Sequence, residues 1–254
     1  MVLKITHNAG FFSCCSIKLK KIIEYYNKKK IPNKVDSSEQ FKLYKPRSLK
    51  EDITYHFFKK NKKYEIKYNK KVNKSDNQFK KYKNIDYKHQ TPFIKKYFSP
   101  SNNIINIKNN LIKKYNINKE KYCAIYYRGT DKKHETKLGD FETYSNEIDK
   151  VLNIDKDIQL LVQTDSTQFL EYIKEKYPFV IYFEENITSN NDIGIHGERG
   201  RINNYNDIKY FYATLFIMSK CKYIICSSGN CSIWMMYYRK NAKNIRQYLN
   251  GVWY

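Results

Sequence analysis

Residues 121–132 read KYCAIYYRGTDK, and this stretch sets the frame for the whole chain. From Lys121 to Tyr127 it is mostly apolar and aromatic; at Arg128 it turns polar at once. A short apolar run without alternation suits a strand buried on both faces. The same pattern recurs downstream. DIQLLVQ (157–163), FVIYF (179–183) and YIIC (223–226) read as strands, and 243–249 as the last one. Helical spacing fills the intervals at 141–152, 166–176, 205–219 and 231–239. In the third of these, Ile208, Phe211, Tyr212, Leu215 and Met218 form one stripe. Strands alternating with helices predict an α/β fold, with a parallel sheet covered by helices on both faces. Such sheets bind ligands beyond the carboxyl ends of their strands.

Toward the N-terminus the pattern is looser. Residues 2–6 (VLKIT) predict a strand, and Asn8, Ala9 and Gly10 a turn. A helix over 13–29 follows, with Ser13 as N-cap. Cys15, Leu19, Ile22, Ile23 and Tyr26 form its apolar face, Pro32 stops it, and a strand lies near Val35. Residues 59–90 are crowded with lysines and poor in aliphatics, which predicts a solvated insertion. The alternative is a basic arm that docks on an acidic acceptor or a nucleic acid. The chain is thereby expected to divide into an N-terminal part, 1–115, and a C-terminal part, 116–254.

A net charge of +23 would attract polyanions. Abundant Lys, Asn, Ile and Tyr also follow from AT-rich codons, as in an AT-rich microbe or a large DNA virus. The charge concentrates in 18–30 and 59–83, away from the strand-end loops, and no zinc, helix-turn-helix or RNP-type motif is present. Nucleic acid is therefore not the expected partner. No apolar run reaches the ~20 residues of a membrane span, and the first residues lack a secretory core. The expected location is cytoplasmic. Cys221, Cys226 and Cys231 are five apart and face no His pair, so no metal site is expected. The six cysteines are expected as reduced, mostly buried thiols.

Three loops at predicted strand ends carry the candidate chemistry. In the first, Arg128 offers a planar fork of donors suited to a phosphate pair. Gly129 allows close backbone approach, Thr130 adds a hydroxyl, Asp131 a carboxylate and Lys132 a second cation. His134 and Glu135 follow. An ordinary polar loop with an Arg–Asp pair is the plain alternative. The second loop, CSSGNCS (226–232), enters a helix through small residues. Ser227, Ser228, Gly229, Asn230 and Ser232 there would supply donors at a positive helix end. It lacks the GK[ST] ending of a Walker loop. In the third, Asp165 either accepts from a ribose hydroxyl or base, or caps the following helix.

These residues resemble a known superfamily. Tyr126-Tyr-Arg-Gly-Thr-Asp-Lys132 is similar to the His-x-Arg-Arg-x-Asp-Lys signature of the α1,6- and protein O-fucosyltransferases, and to the HxRRGD of the α1,2-fucosyltransferases. Thr164-Asp165 and the helix ending Lys174-Glu-Lys-Tyr-Pro178 resemble the next α1,6 block. Residues 218–234 (MSKCKYIICSSGNCSIW) resemble the third motif: a strand, a serine-rich turn and a helix. Asn8-Ala-Gly-Phe11 occupies the place of the first glycine-rich loop. The chain departs from the pattern at Tyr126 for His, Gly129 for the second Arg, and Thr214 for an Asp. Glu135 sits about one residue from the α1,6 acidic catalytic position.

The resemblance implies two Rossmann-like halves in a GT-B-like arrangement, with the acceptor on the N-terminal half and GDP-fucose or another nucleotide sugar mainly on the C-terminal half. It implies inverting, metal-independent transfer to a glycan or protein hydroxyl, with no cofactor. No Asp-x-Asp is set against a strand in the manner of a metal–diphosphate site. The implied catalytic residues are Arg128, Glu135, Asp131 and Lys132. The implied donor-binding residues are Asn8, Gly10, Arg128, Thr130, Asp165, Ser227, Ser228, Gly229, Asn230 and Ser232. A catalytically inactive nucleotide-sugar-binding relative is the alternative raised by Gly129 and Thr214.

Overall fold

The computed structural model describes all residues except 1, 33, 63, 74–77 and 191–200. Strand β1 (Val2–Lys4), helix α1 (Phe11–Asn27) and strand β2 (Lys34–Asp36) form a small βαβ unit, with β1 and β2 parallel. Helix α1 begins at Phe11 with Gly10 at its N-cap, not at Ser13. Ser13 lies within the first turn, its hydroxyl 3.1 Å from the His7 ring. The apolar pair Phe11 and Phe12 extends the helix back beyond the polar cap that sequence alone suggested.

Helices α2 (Thr54–Phe57), α3 (Tyr87–Tyr97) and α4 (Asn102–Lys114) follow. The Lys-rich stretch corrects the sequence reading. Its lysines are mostly exposed, but Ile66, Val72, Tyr82 and Ile85 are buried, and α3 begins inside it. A solvated insertion would bury none of these.

From residue 122 the order is β3 (Tyr122–Tyr127), α5 (Phe141–Ile154), β4 (Gln159–Thr164), α6 (Thr167–Lys176), β5 (Ile181–Tyr182), α7 (Arg201–Met218), β6 (Tyr223–Ser227), α8 (Asn230–Arg239), β7 (Ile245–Leu249) and β8 (Val252–Trp253). The strands form one six-stranded sheet in the order β5-β4-β3-β6-β7-β8, parallel except for the β7–β8 hairpin. This is the expected mixed α/β architecture with a mostly parallel sheet. The hairpin was not expected. It closes on Asn250 and Gly251, both at positive φ, the signature of a two-residue Asn-Gly turn. Residues 184–204, which the sequence reads as a long loop between the strand at 179–183 and the helix at 205–219, lie partly outside the described residues; the helix starts at Arg201.

Side-chain alternation sorts the sheet into two faces. Cys123, Ile125 and Tyr127 of β3 join Leu160, Val162 and Ile225 in a core completed by Tyr144 and Ile148 of α5 and Phe169 and Ile173 of α6. Tyr122, Ala124 and Tyr126 look the other way. There, with Leu161, Ile224 and Cys226, they share a core with α7, α8 and the N-terminal elements. Phe11, Phe12, Phe58, Phe98, Tyr212 and Trp234 meet in this core as stacked, tilted and edge-on rings. All cysteines are free thiols, and only Cys231 is not fully buried. Among the described residues, no helix is long and apolar enough to cross a membrane.

Candidate functional site

Strands β3 and β6 are neighbours, but the chain leaves them in opposite directions. β3 leads outward to β4 and β5, and β6 to β7 and β8. Where connections diverge, nothing crosses the strand ends and a crevice opens. A cavity of about 300 Å³ lies there. Its walls include Arg128, Asp131, Lys132 and Glu135 after β3, Asp165 after β4, residues 227–230 at the end of β6, and Gly10, Phe11 and Phe12 at the start of α1. Sequence-selected residues from three separate loops and from α1 therefore share one cavity.

Arg128 is held on two sides. Its Nε lies 2.5 Å from Asp165 Oδ2, and its Nη2 donates to Asp131 Oδ1 at 2.7 Å. Burial is the largest single influence and opposes the charge, but Asp165, Asp131 and the other neighbouring groups together outweigh it and raise the guanidinium well above its ordinary range. Asp165 also accepts the Gly129 N–H at 2.7 Å and the Thr130 hydroxyl at 2.7 Å. Both of its oxygens are engaged by the first loop. The helix cap of α6 is Ser166, which accepts from Phe169 N. Asp165 is thus neither cap nor open acceptor: it fixes the position of Arg128. Thr130, buried, serves the same end and lies outside the cavity lining.

Gly129 is a packing requirement. A Cβ there would stand 2.5 Å from the Tyr127 ring and 3.2 Å from Ser166 Cβ. The Tyr127 ring is itself stacked on Phe169 at 4.2 Å. The close approach leaves no room for any side chain, so the second arginine of the fucosyltransferase signature has no place here.

Lys132 Nζ bonds Glu135 Oε2 at 2.6 Å and Gln78 Oε1 at 3.0 Å. Gln78 Oε1 also accepts from Asn230 N at 3.0 Å and Asn230 Nδ2 at 3.1 Å, and Gln78 Nε2 reaches Glu135 at 3.3 Å. The N–H of Asn230, the first residue of α8, is therefore at the cavity but already taken. Gly229 N donates to the Tyr82 hydroxyl at 3.1 Å, which in turn donates to Gly229 O at 3.2 Å. Ser228 Oγ donates to Tyr248 O, and Ser232 Oγ, fully buried, to Ser227 O. Ser232 thus braces the turn from within and does not line the cavity. Asn8 is also elsewhere: it is exposed and ties Glu39 O to Lys42 N. A relay leaves the turn through Asn230 Oδ1, which accepts from Ser16 Oγ at 2.8 Å; Ser16 Oγ accepts from Trp234 Nε1 at 3.0 Å.

Thr214 is buried and accepts from Asn186 Nδ2 at 2.8 Å, which also donates to Gln163 Oε1 at 2.6 Å. A neutral network occupies the place where the resemblance leads one to expect an Asp. Among the described residues, no group of three or more His, Cys, Asp and Glu is placed to hold a metal ion.

No family model matches the chain, and no curated protein matches it. Solved structures do. The fucosyltransferase NodZ from Bradyrhizobium superposes with a TM-score of 0.62, covering 97% of this chain and 95% of that one at 10% identity. The fold is fucosyltransferase-like. Two further structures are NodZ α-1,6-fucosyltransferase co-crystallized with GDP and the same enzyme soaked with GDP-fucose. They match with a TM-score of 0.47 each, at 13% and 12% identity over 67% and 65% of this chain. The chain spans about half the length of these two, 52% and 50%.

Sequence reasoning missed several contributors to this cavity and its rim: Gln78, Tyr82, Asn186 and the aromatic wall of Phe11, Phe12 and Tyr44. For Tyr82 a signal existed. Phe79, Tyr82 and Ile85 recur every third residue among the lysines, a spacing that one-sided burial would produce. Gln78 carried none.

Proposed function

We propose that the protein is a glycosyltransferase. It takes a nucleotide-sugar diphosphate, GDP-fucose foremost, into the cavity between β3 and β6, and transfers the sugar with inversion to a glycan or protein hydroxyl, without a metal. One observation carries the reading: Arg128 and the N-terminus of α8 face the same cavity at the topological switch point. The fold likeness to a fucosyltransferase supports it.

In the transfer the C1–O bond to the diphosphate breaks, and its electron pair leaves with the phosphate. The acceptor oxygen bonds to C1 from the opposite face and gives up its proton. Charge builds on the leaving phosphate, where fixed donors in a water-poor site act most strongly. Arg128 has that role, held in place by Asp165. Gly229, Asn230 and Lys132 supply the other side. Glu135 is the first choice of base, because it is more exposed than Asp131 and is not tied to Arg128. Residues 1–115 would then present the acceptor, and 116–254 the donor, as the two parts of a GT-B-like enzyme.

The inactive-relative reading keeps one specific support: both carboxylates are ion-paired, Asp131 with Arg128 and Glu135 with Lys132. Calorimetric titration with GDP, followed by a GDP-fucose hydrolysis assay, separates the two. The proposal expects binding and slow donor turnover. Binding without turnover, under any acceptor tried, would leave the inactive relative; absence of binding would sink both.

A further inference from the structure

Gln78 Oε1 is an amide oxygen surrounded by three donors: Lys132 Nζ, Asn230 N and Asn230 Nδ2, at 3.0, 3.0 and 3.1 Å. The set combines an ammonium, the N-terminal backbone N–H of a ten-residue helix, and a side-chain amide. It concentrates positive potential on one point. A neutral carbonyl there takes the position that a phosphate oxygen would fill with a full charge. Two anchors hold the segment that delivers it. Tyr82 is buried and exchanges hydrogen bonds with Gly229. Gln247 accepts from Tyr82 N and donates to Lys80 O. Phe79 lies under the same ammonium, its ring centroid 5.3 Å from Lys132 Nζ. Gln78 is therefore the tip of a strap whose base is fixed on the rim of the anion site.

We propose that Gln78 is an internal competitor of the ligand's diphosphate: its side-chain oxygen docks in the phosphate seat formed by Lys132 and Asn230, and must rotate out for an anion to enter. This rests on the reading of the cavity as a nucleotide-sugar site. The same docking holds Lys132 between Gln78 and Glu135. A phosphate that draws Lys132 toward itself loosens its hold on Glu135, so release of Gln78 and release of the carboxylate are one event. Affinity for a ligand that needs the open conformer is reduced by the fraction of molecules that have it.

The test is calorimetric titration of the intact chain with GDP, inorganic pyrophosphate and guanosine, using wild type, Gln78→Ala and Gln78→Glu. Gln78→Ala removes the competitor and should tighten GDP and pyrophosphate about tenfold, if the docked conformer holds about nine-tenths of the population. Gln78→Glu places a carboxylate in the seat, strengthens the contact with Lys132 and should weaken both ligands. Guanosine, without phosphates, should be insensitive to either change. If GDP binds all three proteins equally, or binds Gln78→Ala more weakly, the competition is refuted while the nucleotide-sugar reading stands. If guanosine moves in parallel with GDP, the effect is a general loosening and the competition is again refuted. If no protein binds GDP or pyrophosphate, the reading of the cavity falls and the competition falls with it.

Discussion

The two turns that face the cavity are built differently. The loop after β3 is held by one carboxylate: Arg128 is ion-paired with Asp165, the residue just beyond the adjacent strand β4, and the Gly129 N–H and Thr130 hydroxyl donate to it. The turn after β6 borrows its partners. Its first N–H groups are satisfied by Tyr82 and Gln78, from a segment that precedes the sheet in sequence. One half of the cavity wall is thus set by charge within the sheet, and the other is completed by an element from outside it. In the proposed transfer the first half would serve transition-state stabilisation and the second would serve gating.

The comparison breaks first at Arg128. Arg128→Ala should lower donor turnover by about 10²–10³, the usual cost of removing a pre-organised donor, measured as kcat in the hydrolysis assay with the fold intact by circular dichroism. Unchanged turnover would remove the first loop from the chemistry. Next, Asp165→Asn leaves a mostly buried guanidinium with one carboxylate. Breaking a fully buried pair costs about 3–5 kcal/mol; the partial exposure of Arg128 lowers the expectation to about 2–3 kcal/mol in urea unfolding. Gly129→Ala drives a methyl group into the Tyr127 ring and should cost about 1–3 kcal/mol, read as a fall in Tm. The smallest effect belongs to the borrowed side: Tyr82→Phe removes both bonds to Gly229 and should cost about 1–2 kcal/mol. Should Tyr82→Phe destabilise more than Asp165→Asn, the assignment of rigid and borrowed halves is reversed.

Much of the C-terminal sheet was legible because its strands are buried on both faces and so carry unbroken apolar runs. YIIC and DIQLLVQ leave little else to read. The turns after β3 and β6 were legible for the same reason, since their polar residues stand out against those runs. The N-terminal region was harder. Helix α3 contains Pro92, a residue that argues against a helix interior. Helix α4 buries Ile104 and Leu111 among asparagines and lysines, a thin stripe. Both helices take their stability from the aromatic core rather than from propensity. The β7–β8 hairpin is legible in the dipeptide Asn250-Gly251. Asp165 lines the cavity, but neither role read for it from sequence, ribose acceptor or helix cap, is the one it has: which neighbour a carboxylate turns to is decided by strand order, which a single sequence does not state.

Trp234 links the borrowed turn to a measurable signal. The chain has two tryptophans. One, Trp253, packs on Tyr144 and Tyr248, in the core on the α5–α6 face. The other reaches Asn230 through the hydroxyl of Ser16. An indole's emission responds to its hydrogen-bonded surroundings, so any occupant that reorients Asn230 is announced spectroscopically by a ring it never touches, and the molecule supplies its own dye.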